Sequence, residues 1–239
     1  MVRSGFIYVV VGERCKKAAV RSAHSLRKLH SQQICFFSDD HMKNYDLPVN
    51  TVVKLIDNPH RRSKVAACCC SPYEKSIFID ADTFIVGSLS SVFDILDRFE
   101  FAICHDNARV ETASTAPDIK AQDCFPEFNT GFFAFTSGAI NKILIPWSGV
   151  IESKNFRRDQ PTLRALLWKT DARFYILPPE FNIRDHKYLR TWAAYESYPR
   201  VLHYLRFRDW EGVNAVTRIK VWFRRNVLIN WRAYLRYLF

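Results

Sequence analysis

Two kinds of segment alternate along the chain. Residues 6–11, Phe-Ile-Tyr-Val-Val-Val, are apolar throughout and mostly β-branched or aromatic, the composition of a strand buried on both faces. Residues 13–30 follow with Ala18, Ala19, Ala23, Leu26 and Leu29 near helical spacing, which predicts a helix. The unit then recurs. Strands are predicted at residues 33–37, 51–56, 75–79 and 101–104, and helices at 62–70 (ending before Pro72) and 88–96. Residues 105–127 are polar and lack a clear period, about the length of a functional lid or a disordered loop. Beyond them come a strand at 128–135, helices at 138–151 and 159–168, and strands at 173–177 and 201–205. Pro161 is tolerated in the first turn of its helix. Strands alternating with helices predict an α/β protein with a mixed, mainly parallel sheet flanked by helices.

Composition narrows this only slightly. The 239 residues fit one large domain or two small ones, and an apolar share of 48% supports a sizeable core. The seven cysteines include the run Cys68-Cys69-Cys70, which suits neither a disulfide framework nor a zinc site. They are expected to be buried, reduced thiols. The first apolar run is soon interrupted by Glu13, Arg14, Lys16 and Lys17, too early for a signal peptide or a membrane span, and no other stretch reaches the required length. The expectation is a cytoplasmic protein, soluble or peripheral on the inner face of a membrane.

The chemistry-bearing stretch is Ser76-Ile-Phe-Ile-Asp80-Ala81-Asp82-Thr83, two carboxylates where an apolar strand ends. In open α/β sheets ligands bind at the carboxyl ends of strands. A turn there can aim both carboxylates at one cation. Such a cation neutralises the charge that develops on a diphosphate when a sugar–phosphate bond breaks. The plainer reading is a pair of acidic turn residues closing a strand.

The wider context carries a resemblance. The stretch from Lys64 through Ser71-Pro72-Tyr73 to Asp80-Ala81-Asp82-Thr83 resembles the GT-A-fold glycosyltransferases, in particular the family that includes glycogenin and bacterial lipopolysaccharide galactosyltransferases (family 8). Further segments follow in that family's order. Phe128-Asn129-Thr130-Gly131 resembles its Asn-x-Gly strand, Arg158-Asp159-Gln160 its Asp-Gln helix start, and Leu177-Pro-Pro-Glu-Phe181-Asn182 the strand and loop after that helix. Arg200-Val-Leu-His203-Tyr204 resembles the late strand whose histidine is a third metal ligand.

The resemblance implies a GT-A nucleotide-diphospho-sugar transferase fold over residues 1–212, a UDP-sugar donor, a glycan or glycolipid acceptor, and transfer with retention. Asp80, Asp82 and His203 would bind Mn²⁺ or Mg²⁺. Lys64, Asp80, Ala81, Asp82, Asn129 and Gly131 would line the donor site, with Asp39 and Glu13 near the base. Asn129 and Asp159 would hydrogen-bond sugar hydroxyls, and Gln160 would lie beside the reacting carbon. The family usually follows its late histidine with Gly and then Lys-Pro-Trp. Here the text runs His203-Tyr-Leu-Arg-Phe-Arg208-Asp209-Trp210, so Arg208 would replace the lysine against diphosphate.

Charge completes the picture. The net charge of +11 makes an anionic partner plausible, but it is unevenly spread. Residues 218–239 hold Arg218, Lys220, Arg224, Arg225, Arg232 and Arg236 and no acid. Residues 213–239 read as a helix with a basic face and an aromatic face, fit for an anionic membrane surface or for packing on the domain. With so much of the excess in the tail, no specific nucleic acid is expected. The competing classes are a non-enzymatic basic nucleic-acid-binding module, suggested by the net charge and the many aromatics, and a nucleotidyltransferase, which shares the fold and metal logic. Those enzymes usually carry a glycine-rich basic loop after the first strand, and Val11-Gly12-Glu13-Arg14 is a poor version of it.

Overall fold

The apolar runs become strands, and the helices between them cover both faces of a sheet. The computed structural model describes residues 2–60, 63–106, 121–122, 124–154, 159–184 and 198–204. Arg208, the tail 213–239, and residues 107–120 and 123 of the polar stretch lie outside the described residues.

Strand β1 (Val2–Val10) leads through α1 (Glu13–Arg27) to β2 (Gln33–Ser38) and β3 (Thr51–Leu55). Next come α2 (Ser63–Cys69), β4 (Tyr73–Ile79), the short β5 (Thr83–Ile85), α3 (Ser90–Ile95) and β6 (Phe101–His105). The chain continues with β7 (Phe128–Thr136), α4 (Ser137–Ala139), a π-helical turn (Ile140–Leu144), α5 (Ile145–Lys154) and α6 (Gln160–Lys169). The last elements among the described residues are β8 (Phe174–Leu177), a 3₁₀ turn (Pro179–Phe181) and β9 (Val201–His203).

Seven strands make one sheet in the order β3-β2-β1-β4-β7-β6-β8. β7 alone is antiparallel to its neighbours β4 and β6; the remaining pairings are parallel. The predicted mixed, mainly parallel sheet is therefore correct. Alternation along β1 sends Phe6, Tyr8 and Val10 into one core, with Ala19, Ala23 and Leu26 of α1. Ile7 joins the other, where Phe78, Phe101, Phe133 and Phe135 meet Trp147 and Leu163 of α5 and α6.

Three expectations need correction. Leu29 does not belong to the apolar stripe of α1, because the helix ends at Arg27 and Leu29 is exposed. The helix predicted at 138–151 is not one regular α-helix. Pro146 has no N–H to donate, and in a regular α-helix its ring would crowd the carbonyl four residues back; a π-helical turn precedes it here. The cysteines are unpaired, but Cys70 and Cys124 are exposed; only Cys35, Cys68 and Cys104 are buried. Among the described residues no helix is long and apolar enough to cross a membrane.

Candidate active site

The carboxyl edge of the sheet gathers the polar residues. β4 ends at Ile79, and Asp80 still pairs its N–H with the carbonyl of Gly131 on β7 at 2.9 Å. The chain then turns, and Thr83 opens β5. The turn is held from beneath by buried hydroxyls: Tyr8 Oη lies 2.9 Å from Ser22 Oγ, which lies 2.6 Å from Thr83 Oγ1. The Thr83 hydroxyl donates to the Asp80 carbonyl at 2.8 Å.

β5 pairs antiparallel with β9, and Thr83 lies opposite His203. Tyr204 N–H donates to the Asp82 carbonyl at 3.1 Å. This small two-stranded sheet brings His203 to the aspartates across a long stretch of sequence. The ligating atoms of Asp80, Asp82 and His203 all lie within 4.8 Å of one another. His203 Nε2 is 3.2 Å from Asp82 Oδ1 and 3.9 Å from Asp80 Oδ2. Oxygen and nitrogen ligands at about 2.0–2.2 Å from one ion stand roughly 3–4 Å apart, so the set fits a divalent cation. Burial and the neighbouring Asp82 carboxylate raise the Asp80 carboxyl above its ordinary value, against the opposing pull of Lys64 and His203. A cation held between them would relieve that repulsion.

Gly131 makes the convergence possible. A Cβ on it would stand 2.1 Å from His203 Cε1 and 2.9 Å from Asp80 Oδ2. Any side chain at this position collides with His203 and Asp80.

A second cluster adjoins the first. Lys64 Nζ sits 2.6 Å from Asp159 Oδ2 and donates to Thr130 O and Oγ1, each at 3.1 Å. Burial disfavours the lysine charge, but the carboxylates of Asp159 and Asp80 outweigh it and raise the pKa. Asp159 is likewise held below the ordinary carboxylate range: burial opposes ionisation, and Lys64 and the Thr130 hydroxyl prevail. Asp159 stands at the N-cap of α6 without capping it through its side chain. Its carboxylate faces Lys64 instead.

The third cluster centres on Asp106, which the sequence reading did not single out. Its Oδ2 accepts from Asn129 Nδ2 and Gln160 Nε2, both at 2.7 Å, and from Arg184 Nη1 at 3.0 Å. Asp106 follows β6 as Asp80 follows β4 and Asp39 follows β2, so its position after a strand was the available signal. Asn129 is buried, and its Oδ1 accepts from Gly131 N–H at 3.0 Å and from Asn182 Nδ2 at 2.9 Å. Its amide is thus engaged by the protein.

The predicted base-binding end forms a separate group. Asp39 Oδ2 accepts from Gly12 N–H at 3.0 Å, and its other oxygen is 2.6 Å from Lys16 Nζ. Burial works against the Asp39 charge, but Lys16 and that N–H lower its pKa overall. Gly12 has φ +81°, which lets β1 turn directly into α1. Glu13, exposed in the first turn of α1, accepts from Tyr45 Oη at 2.5 Å.

No protein-family model and no curated protein sequence matches the chain. Solved structures do. The glycosyltransferase GlyE of Streptococcus pneumoniae TIGR4 superposes with a TM-score of 0.57 at 14% identity, over 93% of this chain. This chain spans 64% of the GlyE chain. Mouse xyloside xylosyltransferase 1 in its apo form gives 0.58 at 12% identity, over 84% of this chain and 97% of that one. The fold is the GT-A fold. At these identities the likeness speaks for architecture, and the resemblance to family 8 in particular gains no further support from it.

Proposed function

We propose that this chain is a divalent-cation-dependent glycosyltransferase that takes a sugar from a UDP-sugar and passes it to a glycan or glycolipid acceptor. The observation that carries the reading is the meeting of Asp80, Asp82 and His203 at the carboxyl edge of a GT-A sheet. These three residues would hold Mn²⁺ or Mg²⁺, which supplies charge neutralisation on the departing diphosphate.

The rest of the work falls to the chain itself. Lys64 is fixed as a cation by Asp159 and Thr130, and its charge lies next to the metal carboxylates, where it favours an anionic donor. Gln160 donates its amide N–H to Asp106, which leaves Gln160 Oε1 to face the sugar as a dipole. Asp106 and Asp159 offer carboxylate oxygens to sugar hydroxyls. Retention is the stereochemistry this arrangement is proposed to serve.

The test is turnover. Purified protein is incubated with a panel of UDP-sugars and Mn²⁺, and released UDP is measured. Cation-dependent UDP release, abolished by EDTA, is expected. Absence of release from UDP-, GDP- and CDP-sugars, with pyrophosphate produced from a nucleoside triphosphate instead, would replace the reading by nucleotidyl transfer.

A further inference from the structure

The hydrogen bonds around His203 have a direction that can be worked out atom by atom. The N–H of Gly131 can only donate, so the Asn129 atom that meets it is the amide oxygen. That same oxygen meets Asn182 at 2.9 Å, so the Asn182 atom there is the NH₂ group. The remaining Asn182 amide atom is therefore the oxygen, an acceptor, and it lies 2.8 Å from His203 Nδ1. Nδ1 must carry the proton. In a neutral imidazole, Nε2 is then a bare lone pair, and Nε2 is the atom that faces Asp82 and Asp80. The other side of the Asn129 amide agrees: its NH₂ donates to the Asp106 carboxylate.

We propose that Asn182 is the positioning residue that sets the tautomer and ring orientation of His203 for the cation, with the backbone N–H of Gly131 as the origin of the polarity. The proposal rests on the cation reading above. Asn182, Asn129 and His203 are all buried, so no solvent competes for these bonds. The backbone also couples the two elements. Ile183 N–H donates to the Val201 carbonyl at 2.9 Å, and His203 N–H donates to the Ile183 carbonyl at 2.8 Å. Residue 182 is therefore tied to β9 through its neighbour Ile183. Metal-bound histidines commonly use the second ring nitrogen in this way, and loss of such a partner typically costs about 10- to 100-fold in metal affinity. A pairing of Asn182 with any nonspecific core acceptor would not impose a direction; this chain does, because it begins at a main-chain donor.

Two measurements decide the matter. Long-range ¹H–¹⁵N spectra of ¹⁵N-histidine-labelled, metal-free protein at alkaline pH report which ring nitrogen of His203 holds the proton. The Nδ1–H form is expected, and the Nε2–H form would overturn the proposal whether or not any cation binds. In parallel, Mn²⁺ affinity is read from the free-ion signal in electron paramagnetic resonance for wild type and Asn182→Leu. A loss of about 10- to 100-fold is expected in the variant, together with loss of the Nδ1–H preference. An unchanged affinity in folded Asn182→Leu would refute the positioning role. Failure of wild type to bind Mn²⁺ would count against the cation reading, and the tautomer of the metal-free protein still tests this one.

Discussion

Strand β7 holds both environments of this protein within nine residues. Its first half, Asn129, Thr130 and Gly131, is tied into the polar clusters around Asp106, Lys64 and Asp80. Its second half, Phe132 to Phe135, is dry: Phe133 stacks on Phe78 and Phe101 at 4.8 and 5.5 Å between centroids and meets Trp147 edge-on at 5.9 Å. All but the last residue of the strand are buried, so burial alone does not separate the halves. Direction does. β7 runs against its neighbours, and its beginning lies at the edge where β4 and β6 end. The polar residues of the parallel strands therefore follow their apolar runs, and those of β7 precede one. The dry half fixes the sheet; the polar half uses that rigidity to bring together groups from β4, α6 and β9.

Breaking each half should have a different signature. Phe133→Ala removes the aromatic hub and is expected to cost about 3–5 kcal/mol of stability, read as a lower urea midpoint. Asp80, Asp82 and His203 themselves are untouched in that variant. Gly131→Ala sets a methyl group against His203 and Asp80, and overpacking of this kind costs about 1–3 kcal/mol. Its Mn²⁺ affinity should fall by more than its stability explains, which separates it from Phe133→Ala. Normal metal binding in Gly131→Ala would contradict the close approach inferred at that position.

Lys64→Met leaves Asp159 partly buried without its partner. The expected cost is about 2 kcal/mol, less than for a fully dry pair because both groups retain some solvent contact. That corresponds to roughly 4–8 °C in Tm for a protein of this size, and Lys64→Met/Asp159→Asn should recover part of it. The smallest effect belongs to Lys16, which faces Asp39 and Asp40. Both carboxyls are depressed below their ordinary value, Asp40 chiefly by its bond to Lys16. Their contribution is thus complete above about pH 4 and lost as the pH falls through the depressed values. Lys16→Met should flatten the acid limb of the stability curve, with its difference from wild type largest near neutrality and vanishing in acid. A constant difference across that range would assign Lys16 a packing role only.

How much of this could be read from the sequence differs between the same two halves. The sheet was legible because uniformly apolar runs separated by helical periods have few other solutions. The reversal of β7 was not, since a strand buried on both faces has the same pattern in either direction. Asp80 and Asp82 were visible as polar residues ending an apolar run. His203 sits within an apolar strand, and only the family resemblance marked it. The short β5 that delivers it, three residues directly after Asp82, was too brief to register. Asn182 and Asp106 draw their roles from hydrogen-bond partners distant in sequence, and the only local sign of either is the place of Asp106 after a strand.

The central claim is that Asp80, Asp82 and His203 hold a cation for a nucleoside-diphosphate donor, and calorimetric titration with UDP tests it most directly. Binding should appear in Mn²⁺, vanish in EDTA, and be lost in Asp82→Asn while that variant keeps the thermal stability of the wild type. UDP binding of equal strength in Mn²⁺, in EDTA and in Asp82→Asn would contradict the claim and leave Asp80 and Asp82 as residues of a turn.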